Sequence, residues 1–211
     1  RRWAEENKLP VFQGHKKGAA TVKNVIQWCR NKGIKTLTLF AFSTENWQRS
    51  KLEVAYLMKL FASAFSKKNF KDAYDLGIKI KVIGQKDKFS NGLKEKIKEI
   101  EDWTKNNKAM TVNFALSYGG RTEIIEAIKK IVAKKIPAEQ ITEDIIKENL
   151  WTSDVDLIIR TGKEQRTSNF LIWQAAYSEL YFSQKYWPDF SEEDLDEALA
   201  DYSNRQRRFG K

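Results

Sequence analysis

The sequence has very few of the residues that build metal clusters and disulfide frameworks. Its 211 residues include one cysteine, Cys29, and one histidine, His15. One cysteine excludes a disulfide within this chain and every zinc site built on CxxC pairs, and one histidine excludes the two-histidine metal motifs. Such low cysteine usage fits a reducing cytosol, so we expect a cytoplasmic protein.

Long apolar runs are also absent. No stretch approaches the roughly 20 apolar residues of a membrane-spanning helix, and residues 1–10 lack the apolar centre of a signal peptide. Prolines number only three, whereas 41% of the residues are hydrophobic and 12% are aromatic. Because such a chain can bury enough apolar surface to offset its ordering entropy, we expect a single globular domain over residues 1–211.

Acidic residues are the minority among the charged ones, with 28 Asp and Glu against 38 Lys and Arg and a net charge of +10. This balance favours an anionic partner: nucleic acid, an anionic membrane surface or a phosphorylated small molecule. The lysines are spread over segments such as 94–98 and 129–135 instead of forming one stripe, which argues against nucleic acid. A basic nucleic-acid-binding domain therefore stays only as a remote alternative.

The spacing of apolar residues alternates between that of strands and that of helices. Strands are predicted at 34–42, 78–83, 110–116 and 155–160, and helices at 18–32, 50–66, 91–106, 122–134, 142–150 and from residue 191 onward. This alternation predicts right-handed βαβ crossovers. The expected fold class is α/β, with a mostly parallel sheet flanked by helices on both faces.

Polar loops follow three of the predicted strands. They span residues 43–49, 117–121 and 160–169, and they combine arginine, hydroxyl, amide and glycine residues. Because the carboxyl ends of parallel strands lie at one edge of a sheet, the three loops should share one rim. Loops of this composition can bind diphosphates, through the forked guanidinium groups of arginine and through backbone amides. One arginine after a strand is ordinarily a solvated surface residue, but three such loops predict an anion site.

Several familiar phosphate and metal motifs are missing. The sequence has no GxxxxGK[ST] loop, no GxGxxG fingerprint, no GxSxG elbow and no DDxxD pair. A magnesium ion bridging diphosphates would therefore be held by scattered carboxylates, and the nearest candidates are Glu45, Glu164 and Glu179. Glu179 lies in the strand-like run YSELYF, where a carboxylate needs a partner.

The segments LTLFAFSTENWQRSKLEV, SYGGRTEI and IIRTGKEQRTSNFLIWQAAYSELYF resemble, in order and spacing, the signature segments of the cis-prenyltransferases, in particular the bacterial undecaprenyl diphosphate synthases. RRWA, GHKKG, WPDF and NRQRRFG fit as well, so the resemblance runs nearly end to end. It implies a mostly parallel six-stranded sheet, whose first strand is missing from this chain, and a hydrophobic tunnel. The apolar faces of helices 18–32 and 50–66 could line that tunnel or simply form core, with Val54, Leu57, Met58 and Phe61 as candidates.

The resemblance also implies a reaction. A homodimeric, Mg²⁺-dependent enzyme would add isopentenyl diphosphate units in cis to an allylic starter such as farnesyl diphosphate. The product would be undecaprenyl diphosphate or a similar polyprenyl diphosphate for the cell-wall lipid carrier, formed where exposed lysines favour the inner, anionic face of the membrane. A dehydrodolichyl-type synthase and a non-catalytic prenyltransferase subunit stay as alternatives.

The resemblance assigns roles by position. The substrate-binding residues would be Arg1, Arg2, Trp3 and His15 near the allylic diphosphate, then Ser43, Thr44, Glu45, Trp47 and Arg49, and finally Arg160, Arg166, Thr167 and Ser168 for isopentenyl diphosphate. Glu179 would bind magnesium. Asn46 is at the family's proposed proton-acceptor position, but an amide is a poor base. We expect Asn46 to position the substrate, with the departing diphosphate taking the proton.

Three departures from the family pattern stand out. The Asp-Gly-Asn motif, whose aspartate is the family's principal magnesium ligand and catalytic residue, would precede Arg1, and we expect it in a segment before this chain. Val11 stands where many members have an arginine for the allylic diphosphate, and Lys163 stands where glycine is usual. Starter binding should therefore differ in detail. The basic tail with Arg205, Arg207 and Arg208 is by default a solvated helix end.

Overall fold

The computed structural model describes residues 1–206. Arg207 and Arg208 of the basic tail, and with them most of the NRQRRFG segment, lie outside the described residues. The helices are α1 (Arg2–Glu6), α2 (Val11–Asn31), α3 (Lys51–Ala64), α4 (Lys71–Asp75), α5 (Asn91–Thr104), α6 (Gly120–Ala133), α7 (Glu143–Asn149) and α8 (Glu192–Asn204). The strands are β1 (Thr36–Ser43), β2 (Ile78–Ile83), β3 (Met110–Tyr118), β4 (Leu157–Arg160) and β5 (Glu179–Phe182). Short 3₁₀ turns lie at Thr44–Gln48, Ala138–Gln140 and Trp187–Asp189.

All the strand pairs are parallel, as the alternating pattern predicts. Strands β1, β3 and β2 form one sheet in that order, and β4 pairs with β5 in a second sheet. The predicted α/β class is confirmed. The structure has five strands within residues 1–206, whereas the resemblance implies a six-stranded sheet. These five strands form two sheets, of three and two strands, and not the one sheet that the sequence predicts.

The three-stranded sheet has apolar residues on both faces. On one face, β2 and β3 pack with α2, α3 and α5 in the main core, which includes Ile80, Val112 and Leu57. On the other face, Ala115 and Tyr118 of β3 belong to a smaller cluster with residues of the segments before and after β4. Cover on both faces is what a buried parallel sheet requires.

Helix α2 begins seven residues earlier than predicted, because two glycines obscure its pattern. Glycine lowers helix propensity, yet both glycines are buried at close contacts. A Cβ on Gly14 would lie 3.3 Å from the Cβ of Ala4, and one on Gly18 would lie 3.2 Å from Trp187 Cδ1. Trp187 also donates from Nε1 to the Gly18 carbonyl at 2.8 Å. Tertiary packing therefore overrides local propensity here.

The segment predicted as one helix over 50–66 is followed by a second, short helix, α4, before Gly77 reverses the chain with φ +70°. Of the tunnel candidates, Leu57 is buried in the main core, and Met58 and Phe61 pack against it while partly exposed. Their placement fits core packing, and the tunnel stays a prediction. Within residues 1–206, no helix is long and apolar enough to span a bilayer.

Candidate active site

The three polar loops come together at the carboxyl ends of β1, β3 and β4, as predicted. The loops after β1 and β4 border a cleft of about 600 Å³, and the loop after β3 contacts Asn169 of its lining. Its lining residues are Arg2, Phe40, Ser43, Glu45, Asn46, Arg49, Arg160, Ser168 and Asn169. Seven of these nine belong to the predicted site; Phe40 and Asn169 do not.

The first loop is a single 3₁₀ turn whose geometry is fixed by its own polar groups. The backbone N–H of Ser43 donates to Asn46 Oδ1 at 3.1 Å, and the Ser43 side chain caps the turn in return. Thr44 Oγ1 donates to Glu45 Oε2 at 3.1 Å. Because its amide oxygen is engaged, Asn46 has N–H donors to offer to a ligand. The turn therefore fixes the orientation of the amide, and the positioning role of Asn46 stays a prediction.

Asn169 joins the three loops, although nothing in its sequence context marks it as a site residue. Its Nδ2 donates to Glu45 Oε1 at 3.0 Å, and its Oδ1 accepts the N–H of Arg121 at 2.9 Å. Its backbone carbonyl accepts the Gly120 N–H at 2.7 Å. A Cβ on Gly119 would come within 2.7 Å of both Asn169 Nδ2 and Thr44 Oγ1. The Gly-Gly pair is therefore required by the close approach of the loops.

Trp47 and Trp3 do not line the cleft, but each connects separate segments of the chain. Trp47 packs edge-on against Phe42 with ring centroids 5.1 Å apart, and its Nε1 donates to Ser117 Oγ at 2.9 Å. Trp3 is buried, and its Nε1 donates to Asp189 Oδ2 at 2.6 Å. Both indoles link separate segments of the chain, so their contacts are structural.

Positive charge is concentrated where the loop after β4 meets α1. Arg2 Nη1 donates to the Gly162 carbonyl and to Glu164 Oε1, each at 2.7 Å, and Arg166 Nη1 lies 2.5 Å from the other oxygen of Glu164. Burial lowers the pKa of Arg160, and the neighbouring Arg2 and Arg166 lower it further. The buried Nε of Arg160 has no hydrogen-bond partner among the described residues. A partly buried guanidinium that lacks a hydrogen-bond partner and lies beside two other arginines is suited to binding an anion.

Thr167 and Ser168 shape the end of this loop. The Thr167 carbonyl accepts the N–H of Phe170 at 3.1 Å. Ser168 and Asn169 follow with φ values of +51° and +65°, and this left-handed turn brings both residues to the cleft. Of the four residues predicted for isopentenyl diphosphate, Arg160 and Ser168 line the cleft, whereas Arg166 and Thr167 lie beside it.

A second charged cluster centres on Glu53, in the first turn of α3. Glu53 is 6% exposed. Its Oε1 lies 3.2 Å from His15 Nε2 and 3.0 Å from Arg49 Nη1, and its Oε2 lies 3.5 Å from Arg1 Nη1. Burial lowers the pKa of His15, although Glu53 opposes that change. The cluster places His15 and Arg1 behind Arg49, which lines the cleft.

Val11 and Lys163, which depart from the family pattern, lie outside the cleft lining. Val11 is the half-buried first residue of α2. Lys163 has a left-handed backbone with φ +62°. Its Nζ pairs with Glu6 at 3.1 Å and lies 4.8 Å from the ring centroid of Tyr186. The extra cation is therefore neutralised by Glu6 and does not line the cleft.

The carboxylates available for a metal are dispersed. Glu45 lines the cleft, and Glu164 is paired with Arg2 and Arg166. Glu179 lies at the start of β5, in register with Leu157, and its Oε2 accepts from Arg205 Nη1 at 2.7 Å. The structure contains no group of three His, Cys, Asp or Glu residues suited to a metal within residues 1–206. These residues alone do not fit a protein-ligated magnesium site.

A parallel α/β fold with an arginine-rich cleft at the strand ends defines a protein that handles phosphorylated ligands. A family model described as "Putative undecaprenyl diphosphate synthase" matches residues 1–210. The chain therefore belongs to this prenyltransferase family and is an enzyme that transfers prenyl groups. The predicted family and enzyme class are confirmed.

Individual relatives agree with this placement. The chain is 45% identical to an isoprenyl transferase of Ralstonia nicotianae, over all of this chain and 83% of the relative, and 46% identical to that of Aquifex pyrophilus, over all of this chain and 91% of the relative. The structure of lavandulyl diphosphate synthase from Lavandula x intermedia, in complex with dimethylallyl diphosphate, matches with a TM-score of 0.94 and 37% identity, covering 100% of this chain and 94% of that one. A structure described as a probable undecaprenyl diphosphate synthase from Campylobacter jejuni matches with a TM-score of 0.84 and 35% identity, covering 93% of each chain.

Proposed function

We propose that the protein is a cis-prenyltransferase that condenses isopentenyl diphosphate with an allylic starter such as farnesyl diphosphate, giving undecaprenyl diphosphate or a similar polyprenyl diphosphate. The observation that carries this proposal is the cleft, in which the unpaired guanidinium of Arg160 lies near Arg2. Two diphosphates need two sets of cations. Arg160, with Arg166 next to it, would hold one, and Arg2 and Arg49 of the cleft lining would hold the other.

The two sets of cations would act on different substrates. Cations at the starter's diphosphate stabilise the charge that develops as its carbon–oxygen bond breaks. The isopentenyl double bond must lie close to the resulting allylic cation, so that the new carbon–carbon bond forms before water intervenes. Asn46 lines the same cleft and would orient the substrates through its N–H donors. The released diphosphate accepts the proton that the isopentenyl unit loses.

We also propose that the reaction depends on Mg²⁺. A divalent cation would neutralise diphosphate charge, and diphosphate oxygens and water would have to supply most of its ligands. Glu45 is the carboxylate that lines the cleft. Glu179 stays a predicted ligand whose carboxylate is engaged by Arg205. Adding EDTA should abolish turnover, and restoring Mg²⁺ should recover it; full turnover in EDTA would contradict this proposal.

A homodimer is the proposed assembly. Helix α6 presents Ile125, Ile128 and Val132 at 52%, 50% and 69% exposure, at spacings that put them on one face. A stripe of this kind fits a second copy of the chain. In sedimentation velocity, Ile128→Asp should shift the protein towards monomer, whereas the control Leu52→Asp on α3 should not. A wild-type monomer at micromolar concentration would contradict the dimer.

The experiment that tests the proposed function uses the protein as encoded by its gene, with labelled isopentenyl diphosphate, Mg²⁺ and either farnesyl or dimethylallyl diphosphate. We expect label in lipid-extractable products that grow by one five-carbon unit at a time. Product length separates an undecaprenyl synthase from a dehydrodolichyl-type synthase. No incorporation with either starter would contradict the proposal and favour a non-catalytic subunit.

A further inference from the structure

Helices α2 and α3 expose large apolar side chains at their amino-terminal ends. Leu52 of α3 is 79% exposed, Phe12 of α2 is 42% exposed, and Leu9, just before α2, is 36% exposed. The Phe12 ring lies 4.6 Å from that of Tyr56, one turn along α3 from Leu52, so the two helices present these side chains together. We call Leu9, Phe12 and Leu52 the α2–α3 apolar patch.

The surface around this patch is basic and almost free of acids. Helix α2 contains no Asp or Glu in its 21 residues, and the one acid of α3, Glu53, is buried against His15 and Arg49. Four exposed lysines are neighbours of the patch along the chain. Lys8 and Lys51 directly precede Leu9 and Leu52, Lys16 lies one helical turn after Phe12, and Lys59 lies three residues after Tyr56. None of the four has an ion pair with another of residues 1–206. By contrast, the exposed acids of α1, Glu5 and Glu6, pair with Arg1 and Lys163.

The patch adjoins the cleft. Tyr56, which contacts Phe12, has its ring 6.3 Å from that of His15. His15 contacts Glu53, and Glu53 binds Arg49 of the cleft lining. The patch is therefore connected to the cleft lining through Tyr56, His15 and Glu53.

We propose that the α2–α3 apolar patch and its four lysines form the surface that docks on an anionic lipid bilayer. Apolar side chains flanked by lysines without counter-ions match the boundary between acyl chains and anionic headgroups. A second copy of the chain is a poorer occupant, because its own lysines would face these four. Nucleic acid would leave Leu52 and Phe12 without an apolar environment. The biological reason for docking rests on the proposed function, since a polyprenyl product must enter a membrane, but the docking itself does not.

The test measures partitioning of the purified protein onto sedimented vesicles. Vesicles of phosphatidylcholine with about a third phosphatidylglycerol should bind the protein, and phosphatidylcholine alone should bind it much less. High salt should release most of it, because the exposed lysines are screened. The double variant Lys51→Glu/Lys59→Glu should bind at least about 25-fold more weakly, at about fivefold for each lysine lost. Leu52→Ser should bind about fivefold more weakly, since less apolar surface enters the bilayer.

Two controls make the outcome specific. Lys105→Glu/Lys108→Glu changes the net charge by the same amount, on exposed residues next to the amino end of β3, and should keep binding close to wild type. Ile141→Ser removes an apolar side chain that is 41% exposed elsewhere and should also leave binding unchanged. Equal losses for the two charge-reversed double variants would overturn the proposal, because net charge alone would then explain binding. A change in oligomeric state for Leu52→Ser would overturn it too, since the patch would then be a protein interface.

The docking proposal and the proposed function can fail separately. Turnover of short, water-soluble starters in detergent reports the reaction without vesicles, and the patch variants should keep wild-type turnover there. Vesicle binding without turnover would sink the proposed function and leave the docking surface intact. Turnover without vesicle binding would overturn the docking proposal and leave the proposed function intact.

Discussion

Arg2 donates from Nη1 to the carbonyl of Gly162 across 2.7 Å, joining α1 to the loop that follows β4. The Gly162 backbone has φ +92°, and a Cβ there would lie 2.9 Å from Arg2 Nη2. The same guanidinium binds Glu164. Two cations assigned to different substrates, Arg2 and Arg160, are thereby fixed relative to each other through one short loop.

Gly162→Ala should therefore displace Arg2 and weaken starter binding. The added methyl group meets a guanidinium and also strains a left-handed backbone, so we expect a stability loss of about 1–3 kcal/mol and a clear rise in the KM for the starter. Gly33→Ala is the matched control, because Gly33 has φ +75° and open space around its Cβ position. It should lose stability and keep its KM. An unchanged KM in Gly162→Ala would show that Arg2 does not bind the starter from this position.

Lys163→Gly restores the residue usual in the family and removes the contacts of Lys163 with Glu6 and Tyr186. An exposed ion pair contributes about 0–1 kcal/mol, so global stability should hardly change. We expect faster amide exchange in residues 161–166 and a rise of about two- to fivefold in the starter KM. Lys163→Met keeps the side-chain stem but loses the charge. If Lys163→Met behaves like wild type, the ion pair with Glu6 is not what orders the loop.

His15 is the single histidine of this chain, so its imidazole signals can be titrated without overlap from another histidine. Burial holds the pKa of His15 below its ordinary value of about 6.5. The unfolded chain therefore binds this proton before the folded protein does, so the contribution of His15 to stability is present above about pH 6.5 and is lost as the pH falls towards the folded pKa. In urea unfolding, wild type should lose more stability between pH 7.5 and 5.5 than His15→Gln does.

A direct titration of the His15 imidazole by NMR supplies the complementary result. We expect a midpoint below about 6.5. A midpoint above it would mean that the attraction of Glu53 outweighs burial, and the pH dependence of stability would then have the opposite sign.

The sequence predicts the framework and the rim because both depend on local pattern. Strand β2 falls at the predicted residues 78–83, and helix α5 begins at the predicted Asn91. The rim follows from topology, since parallel strands put the loops after β1, β3 and β4 at one edge. A carboxylate among apolar neighbours is predicted to need a partner, and Glu179 has one in Arg205.

What the sequence misses depends on contacts distant along the chain. Asn169 is an ordinary loop residue until its amide is seen to reach Glu45 and Arg121. The backbone N–H of Glu53 donates to the N-cap Ser50 at 3.3 Å, as is ordinary in the first turn of a helix, but its carboxylate turns to His15 and Arg49. Neither spacing nor propensity encodes such pairings.

The central claim is that the arginines after β4 bind isopentenyl diphosphate, and steady-state kinetics on their variants test it most directly. Removing a charge-assisted hydrogen bond of this kind costs about 1.5–3 kcal/mol, so Arg160→Ala and Arg166→Ala should each raise the KM for isopentenyl diphosphate about 10- to 100-fold. The KM for the starter should change much less. The control Arg30→Ala loses a bond from its Nε to the Leu76 carbonyl, remote from the cleft, and should leave both constants unchanged. Equal increases for both substrates in Arg160→Ala and Arg166→Ala would contradict the assignment.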